Sequence, residues 1–141
     1  MPSPQAMIPL VAWLVAVLEE VQVNGQPAFA EVKQSWTGVI LNWPQAAAMP
    51  RTSSFDPEIV GALHSENLLT VKFGVQDADP DQVTANAMSY MLAIGQAIAE
   101  APLPPNATRV FIQAHDYGAL YQRDGSFAKF PELHLLVEVY E

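Results

Sequence analysis

From Leu69 to Val75 apolar and polar residues alternate, with Leu69, Val71, Phe73 and Val75 on one side and Thr70, Lys72 and Gly74 on the other. That period of two is the signature of a strand with one face covered. Asp79-Pro80-Asp81-Gln82 follows almost at once. Asp79 suits an N-cap, Pro80 the first helical position, and Asp81 with Gln82 an acidic, box-like first turn. The spacing predicts a helix from 80 to about 100, stopped by Pro102. Val83, Ala87, Tyr90, Met91, Ile94 and Ile98 recur on one side of it and are expected to face a sheet. A covered strand running straight into a sheet-packing helix restricts the chain to folds that layer helices on a sheet.

The rest of the chain is read around that unit. Pro9 fits the first turn of a second helix, from about Ile8 to Val21. Leu10, Leu14, Val17 and Val21 form one stripe on it and Val11, Val15 and Leu18 another, so it is expected to be covered on more than one side. The apolar run from Ala6 to Leu18 lacks a basic leader region and is too short for a bilayer, which needs about 20 residues. Asn24-Gly25 marks a turn. Ala28 to Gln34 reads as a short strand with Phe29 or Ala30 inward, and Thr37 to Leu41 as a further short strand. Pro44 and Pro50 break regular structure, leaving Asn42 to Pro57 as a long, partly extended loop. Alternation resumes over Gly61 to Gln76. Past the proline-rich connector 102–105, Thr108 to His115 and Leu133 to Tyr140 read as an antiparallel strand pair. Asp116 to Pro131 joins them as a long excursion or a small extra hairpin, since it contains Gly118 and Asp124-Gly125. The expectation is one α+β domain over residues 1–141: a mostly antiparallel sheet, two main helices packed on it, and long inter-strand loops.

Charge and composition narrow the function classes. Fifteen acidic residues against six basic ones give a formal charge of −9, which opposes tight binding to nucleic acid. Cysteine is absent, which rules out disulfides and thiolate metal sites. His64 and His115 have Glu66 and Asp116 nearby, but the spacing converges no set of three or four ligands. Asp77, Asp79 and Asp81 resemble alternating calcium ligands until the loop is counted out: Gln82 stands where glycine is wanted and Met88 where a bidentate glutamate is. Helix capping explains the three aspartates. The chain has no nucleophile elbow, phosphate loop or dinucleotide fingerprint. No catalytic residue, metal or cofactor is expected.

The candidate surfaces are instead those of an assembling protein. Only 15% of residues are charged, fewer than a solvated surface normally carries. From Gln82 to Ala99, 18 residues pass without a charge, and the helix side away from the sheet presents Gln82, Asn86, Ser89, Ala93 and Gln96. That side is either an approach surface for another chain or simply a polar face. The two longest irregular stretches hold Trp43, Arg51, Tyr117, Tyr121, Arg123 and Phe127, residue types that anchor interfaces when they do not cover the core.

The order of these elements resembles the tail terminator and tail completion proteins of long-tailed bacteriophages. It comprises an apolar N-terminal helix, a strand, a long loop, the strand ending Val71-Lys72-Phe73-Gly74-Val75, the Asp-Pro helix, and closing strands ending Leu135-Leu136-Val137-Glu138-Val139-Tyr140. The resemblance covers nearly the whole chain and rests on order and texture. It implies a structural virion protein of the head-tail interface, made in the bacterial host cytoplasm. Such a protein forms a homo-oligomeric, hexameric ring that caps the tail tube, ends its polymerisation and contributes to head-tail joining. Its partners would be further copies of itself, the tail tube protein and head-tail connector proteins, with DNA passing through unheld and no membrane involved. A head-completion or tail-to-head joining subunit is the neighbouring alternative. A small soluble enzyme or ligand-binding α+β domain is the alternative of another class.

Overall fold

The computed structural model describes residues 7–38, 42–56 and 64–140. Helix α1 spans Met7–Glu19 and helix α2 Pro80–Glu100. Asp79 caps α2 as its sequence requires: the side chain accepts from the Asp81 backbone N–H at 2.9 Å, and Pro80 opens the helix. Asp79→Ala is expected to lower stability by ~1 kcal/mol, read as a shift in the chemical denaturation midpoint with an unchanged slope.

The axis of the sheet is strand β5, and the strands before it in sequence are β1 (Gln22–Val23), β2 (Gln26–Pro27), β3 (Glu31–Lys33) and β4 (Gln45–Asp56). β5 covers His64–Asp77, and after α2 come β6 (Ala107–Asp116), β7 (Tyr121–Arg123), β8 (Ser126–Lys129) and β9 (Glu132–Tyr140). β4 runs antiparallel along one side of β5. The other side of β5 is shared: residues 64–72 pair with β9 and residues 75–77 with β8. β6 flanks β9 and β7 flanks β8, all antiparallel, while β3 joins β4 in parallel. β1 and β2 form a separate hairpin closed by Asn24-Gly25. The fold is α+β, with two helices on a mixed, mostly antiparallel sheet.

Both helices lie on one face of the sheet, α1 over β3 and β4 and α2 over β5 and β8. Leu69, Val71, Phe73 and Val75 of β5 and Leu133, Leu135, Val137 and Val139 of β9 point into that layer and are buried. They meet Leu10, Leu14 and Leu18 of α1 and Val83, Ala87, Met91, Ile94 and Ile98 of α2. At the centre the Phe29, Phe73 and Tyr90 rings pack with centroids 5.7 to 6.1 Å apart. Burial raises the Tyr90 phenol above its ordinary pKa, so its neutral form is favoured in this setting. Asn67 is a polar exception inside the layer. Its Oδ1 accepts from Ser53 Oγ at 2.7 Å, and its Nδ2 donates to Ser65 Oγ at 3.0 Å and to the Val137 carbonyl at 3.3 Å. Three partners offset the cost of burying its amide.

Several expectations are corrected. Within the stretch Asn42 to Pro57 expected as a loop, Gln45 to Asp56 is a twelve-residue strand hydrogen-bonded to β5. Ala46 and Ala48 sit opposite Phe73 and Val71 and are fully buried, so small size under the helices matters there more than strand propensity. Pro50 is tolerated because β3 pairs only with 45–47 and the register shifts between Pro50 and Thr52, a bulged edge where a missing N–H costs little. Thr37 and Gly38 are not in a strand, and residues 39–41 of the expected strand there lie outside the described residues, as do 57–63. β3 is shorter than the Ala28 to Gln34 segment. Ala28 and Phe29 are buried before it starts, whereas Ala30 is exposed. α1 is covered by the sheet and α2, but Ile8, Ala12 and Ala16 on its outer side stay exposed among the described residues.

Candidate functional site

The excursion from Asp116 to Pro131 contains a real hairpin, β7–β8, closed by Asp124-Gly125. Both turn residues have positive φ, 51° and 79°, the two-residue geometry that matches the twist of the strands it joins. Tyr121 and Phe127, expected in loops, are therefore strand residues. The preceding segment folds back at Gly118, whose amide donates to Asp116 Oδ1 at 2.9 Å. Gly118 has φ of 74°, and a Cβ there would lie 3.3 Å from the Phe130 carbonyl oxygen. Glycine lets this segment press against the chain at Phe130.

Phe130 is the hub of an aromatic cluster on the side of the sheet opposite the helices. The rings of Trp36, Trp43 and Tyr121 lie around it at centroid distances of 5.9, 6.0 and 5.6 Å. Lys72 Nζ sits 5.2 Å from the Trp36 ring centroid, a cation–π contact that anchors the cluster to β5. Between the hairpin and the chain around Trp43 lies an open cleft of about 580 Å³. Trp43, Tyr121, Phe127 and Phe130 form its apolar wall, and Gln76 and Gln122 supply amides. The charged groups on its lining are Arg123 and Asp124, which pair at 3.8 Å with both side chains almost wholly in water.

Of the nine residues expected at an interface, four meet here: Trp43, Tyr121, Arg123 and Phe127. Tyr121 is 56% exposed and Trp43 half-buried. Phe127 lines the cleft but also packs against the main core, so much of its surface is already committed. The structure does not bring Arg51 or Tyr117 into the cleft. Tyr117 is exposed, with its ring edge-on to His115 at 6.2 Å. Arg51 stands on β4, where its Nη1 lies 3.3 Å from His134 Nδ1, and Thr70 Oγ1 lies 3.2 Å from His134 Nδ1 as well. Because arginine can only donate, His134 Nδ1 is the acceptor in the contact with Arg51.

Asn86, Ser89 and Gln96 occupy the outer side of α2. Ser89 and Gln96 are exposed, while Asn86 is half-buried and accepts from Gln82 Nε2 at 2.8 Å. Beside them Met88 is 52% and Leu92 63% exposed. The outer helix surface is therefore more apolar than the stripe of small polar residues implied. Phe130 was not among the residues singled out in the sequence, whereas Trp36, a loop aromatic that either covers the core or anchors a partner, packs on Phe130 without lining the cleft. Trp36 sits in an aperiodic segment, and Phe130 was hidden because only the pairing of β8 with β5 carries it towards Trp43.

No known protein-family model matches the chain, and no curated protein matches it. Among the described residues, no helix is long and apolar enough to cross a membrane.

Proposed function

We propose that this chain is a structural virion protein. It forms a homo-oligomeric, hexameric ring that caps the tube of a phage tail, ends tube growth and contributes to head-tail joining. The observation that carries the reading is the convergence of Trp43, Tyr121 and Arg123, almost 80 residues apart in sequence, on one solvent-facing cleft. Half-exposed aromatics next to arginine are the composition of an interface centre rather than of a solvated loop. The uncharged outer side of α2, with Met88 and Leu92 exposed, adds a second surface suited to close approach by another chain. The acidic excess fits a ring that lets DNA pass without holding it.

The cleft is of a size that small ligands also use. Its charged groups among the described residues, Arg123 and Asp124, are a solvated ion pair, however, and the described residues of its wall include no acid-base couple held in a dry setting. Assembly is therefore the reading the lining favours over catalysis. Native mass measurement by light scattering, followed by negative-stain imaging, tests it. The expected result is a closed ring with an axial hole, and a monomer at all concentrations together with specific small-molecule binding in the cleft would overturn it.

A further inference from the structure

On the open face of the sheet, at the end away from the aromatic cleft, three side chains converge that sequence spacing kept apart. His64 and Glu66 stand two residues apart on β5, and Glu138 of β9 is directly opposite Glu66. One potential donor atom from each lies within 4.8 Å of the other two, the one such group among the described residues.

The arrangement is poorly compensated as it stands. Carboxylates directly opposed across strands repel, and the Glu138 side chain is only 17% exposed. Its ion pair is with Arg109 at 3.9 Å, through a side chain that is mostly in water and whose guanidinium carbon also lies 4.3 Å from the centroid of the Phe111 ring. Glu66 has no ion-pair partner among the described residues. His64 stacks on Tyr140 at 4.4 Å, and its Nε2 is buried without a hydrogen-bond partner. An unpaired ring nitrogen on His64 and the carboxylates of Glu66 and Glu138 together make a donor set suited to a cation with at least two positive charges.

We propose that His64, Glu66 and Glu138 form a binding site for a divalent cation of the zinc class. One imidazole and two carboxylates suit such an ion, and three protein donors leave a further position open towards solvent on the Glu66 side. A tetrahedral ion with bonds of about 2.1 Å holds its donors about 3.4 Å apart, so atoms that lie within 4.8 Å of one another would close by at most about 1.4 Å on binding. The ion ties β5 to β9 from the face opposite the core. It adds stability to a chain whose core is built without it, and the inference does not rest on the assembly reading.

Calorimetric titration of the metal-free chain with zinc chloride is the test, with magnesium chloride alongside. The expected result is one zinc per chain, a much weaker response to magnesium, and a melting temperature raised by zinc. His64→Ala and Glu66→Gln should each weaken zinc binding roughly tenfold or more, whereas His115→Ala and His134→Ala should leave it unchanged. Glu66 is exposed, so Glu66→Gln keeps the test decisive if His64→Ala misfolds by circular dichroism. No heat of binding up to millimolar zinc, or binding that survives Glu66→Gln at full strength, would overturn the site.

Discussion

Phe73→Ala is expected to destabilise the protein by about 3–5 kcal/mol, the loss typical of removing a fully buried phenylalanine. Phe73 is 0% exposed. It stands in register with Ala46 on β4 and touches the Phe29 and Tyr90 rings. None of these neighbours can fill the space it vacates. Ala46 is too small, Phe29 is held where the chain turns into β3, and Tyr90 is fixed on α2. The cavity therefore persists, and its cost adds to the lost transfer free energy. Such a loss is a large part of the stability of a domain this size. Urea denaturation should show a much lower midpoint with a similar slope, and a change below about 1 kcal/mol would mean that the layer between sheet and helices is looser than the packing described here.

The second large effect concerns the cleft. Replacing Tyr121 by alanine is expected to leave helix content and melting temperature close to wild type, because the side chain is half in water and its ring packs on Phe130 at the sheet surface. Assembly of the proposed ring should weaken by ~2 kcal/mol, roughly thirtyfold in the association constant, as for an aromatic anchor at an interface centre. Trp43→Ala should weaken assembly at least as much, together with a measurable loss of stability, since Trp43 is half-buried against Phe130. The pair of variants separates the two roles of the cluster. Sedimentation velocity over a concentration series reads the association, and denaturation reads the fold. If both variants assemble and support tail formation at wild-type level, the cluster merely covers the sheet end and the interface assignment fails.

The elements legible in the sequence were those whose geometry is set locally. α2 starts at Asp79-Pro80 and runs to Glu100 because capping, a proline at the first position and an apolar stripe at helical spacing all agree within one segment. β5 and β9 were legible because each alternates over several residues, β6 because β-branched and aromatic residues cluster in it between turn signals, and Asp124-Gly125 marked a hairpin because few residue pairs accept two positive φ values in succession. β4 was not legible. Its proline and alanines weigh against a strand, and only its place beside β5, with a bulge near Pro50 and α1 above Ala46 and Ala48, makes it one.

The same division holds for the candidate sites. The residue types that anchor a surface, Trp43, Tyr121 and Arg123, could be picked out by their chemistry and by the aperiodic segments around them. Which of them share a surface depended on β5 splitting its free side between β9 and β8, a non-local pairing that seats the β7–β8 hairpin against the chain near Trp43. Arg51 and Tyr117 have the same chemistry and were carried elsewhere by the same sheet. Glu66 and Glu138 are separated by more than 70 residues, and strand register alone puts them opposite each other. The sequence by itself determined helix ends, turns and the burial period of the long strands, since these follow from backbone preferences over a few residues. Apart from the antiparallel pairing of β6 with β9, which the sequence implied, the tertiary structure decided partners and register across the sheet, because register is fixed by the summed burial of whole strands and no local segment encodes it.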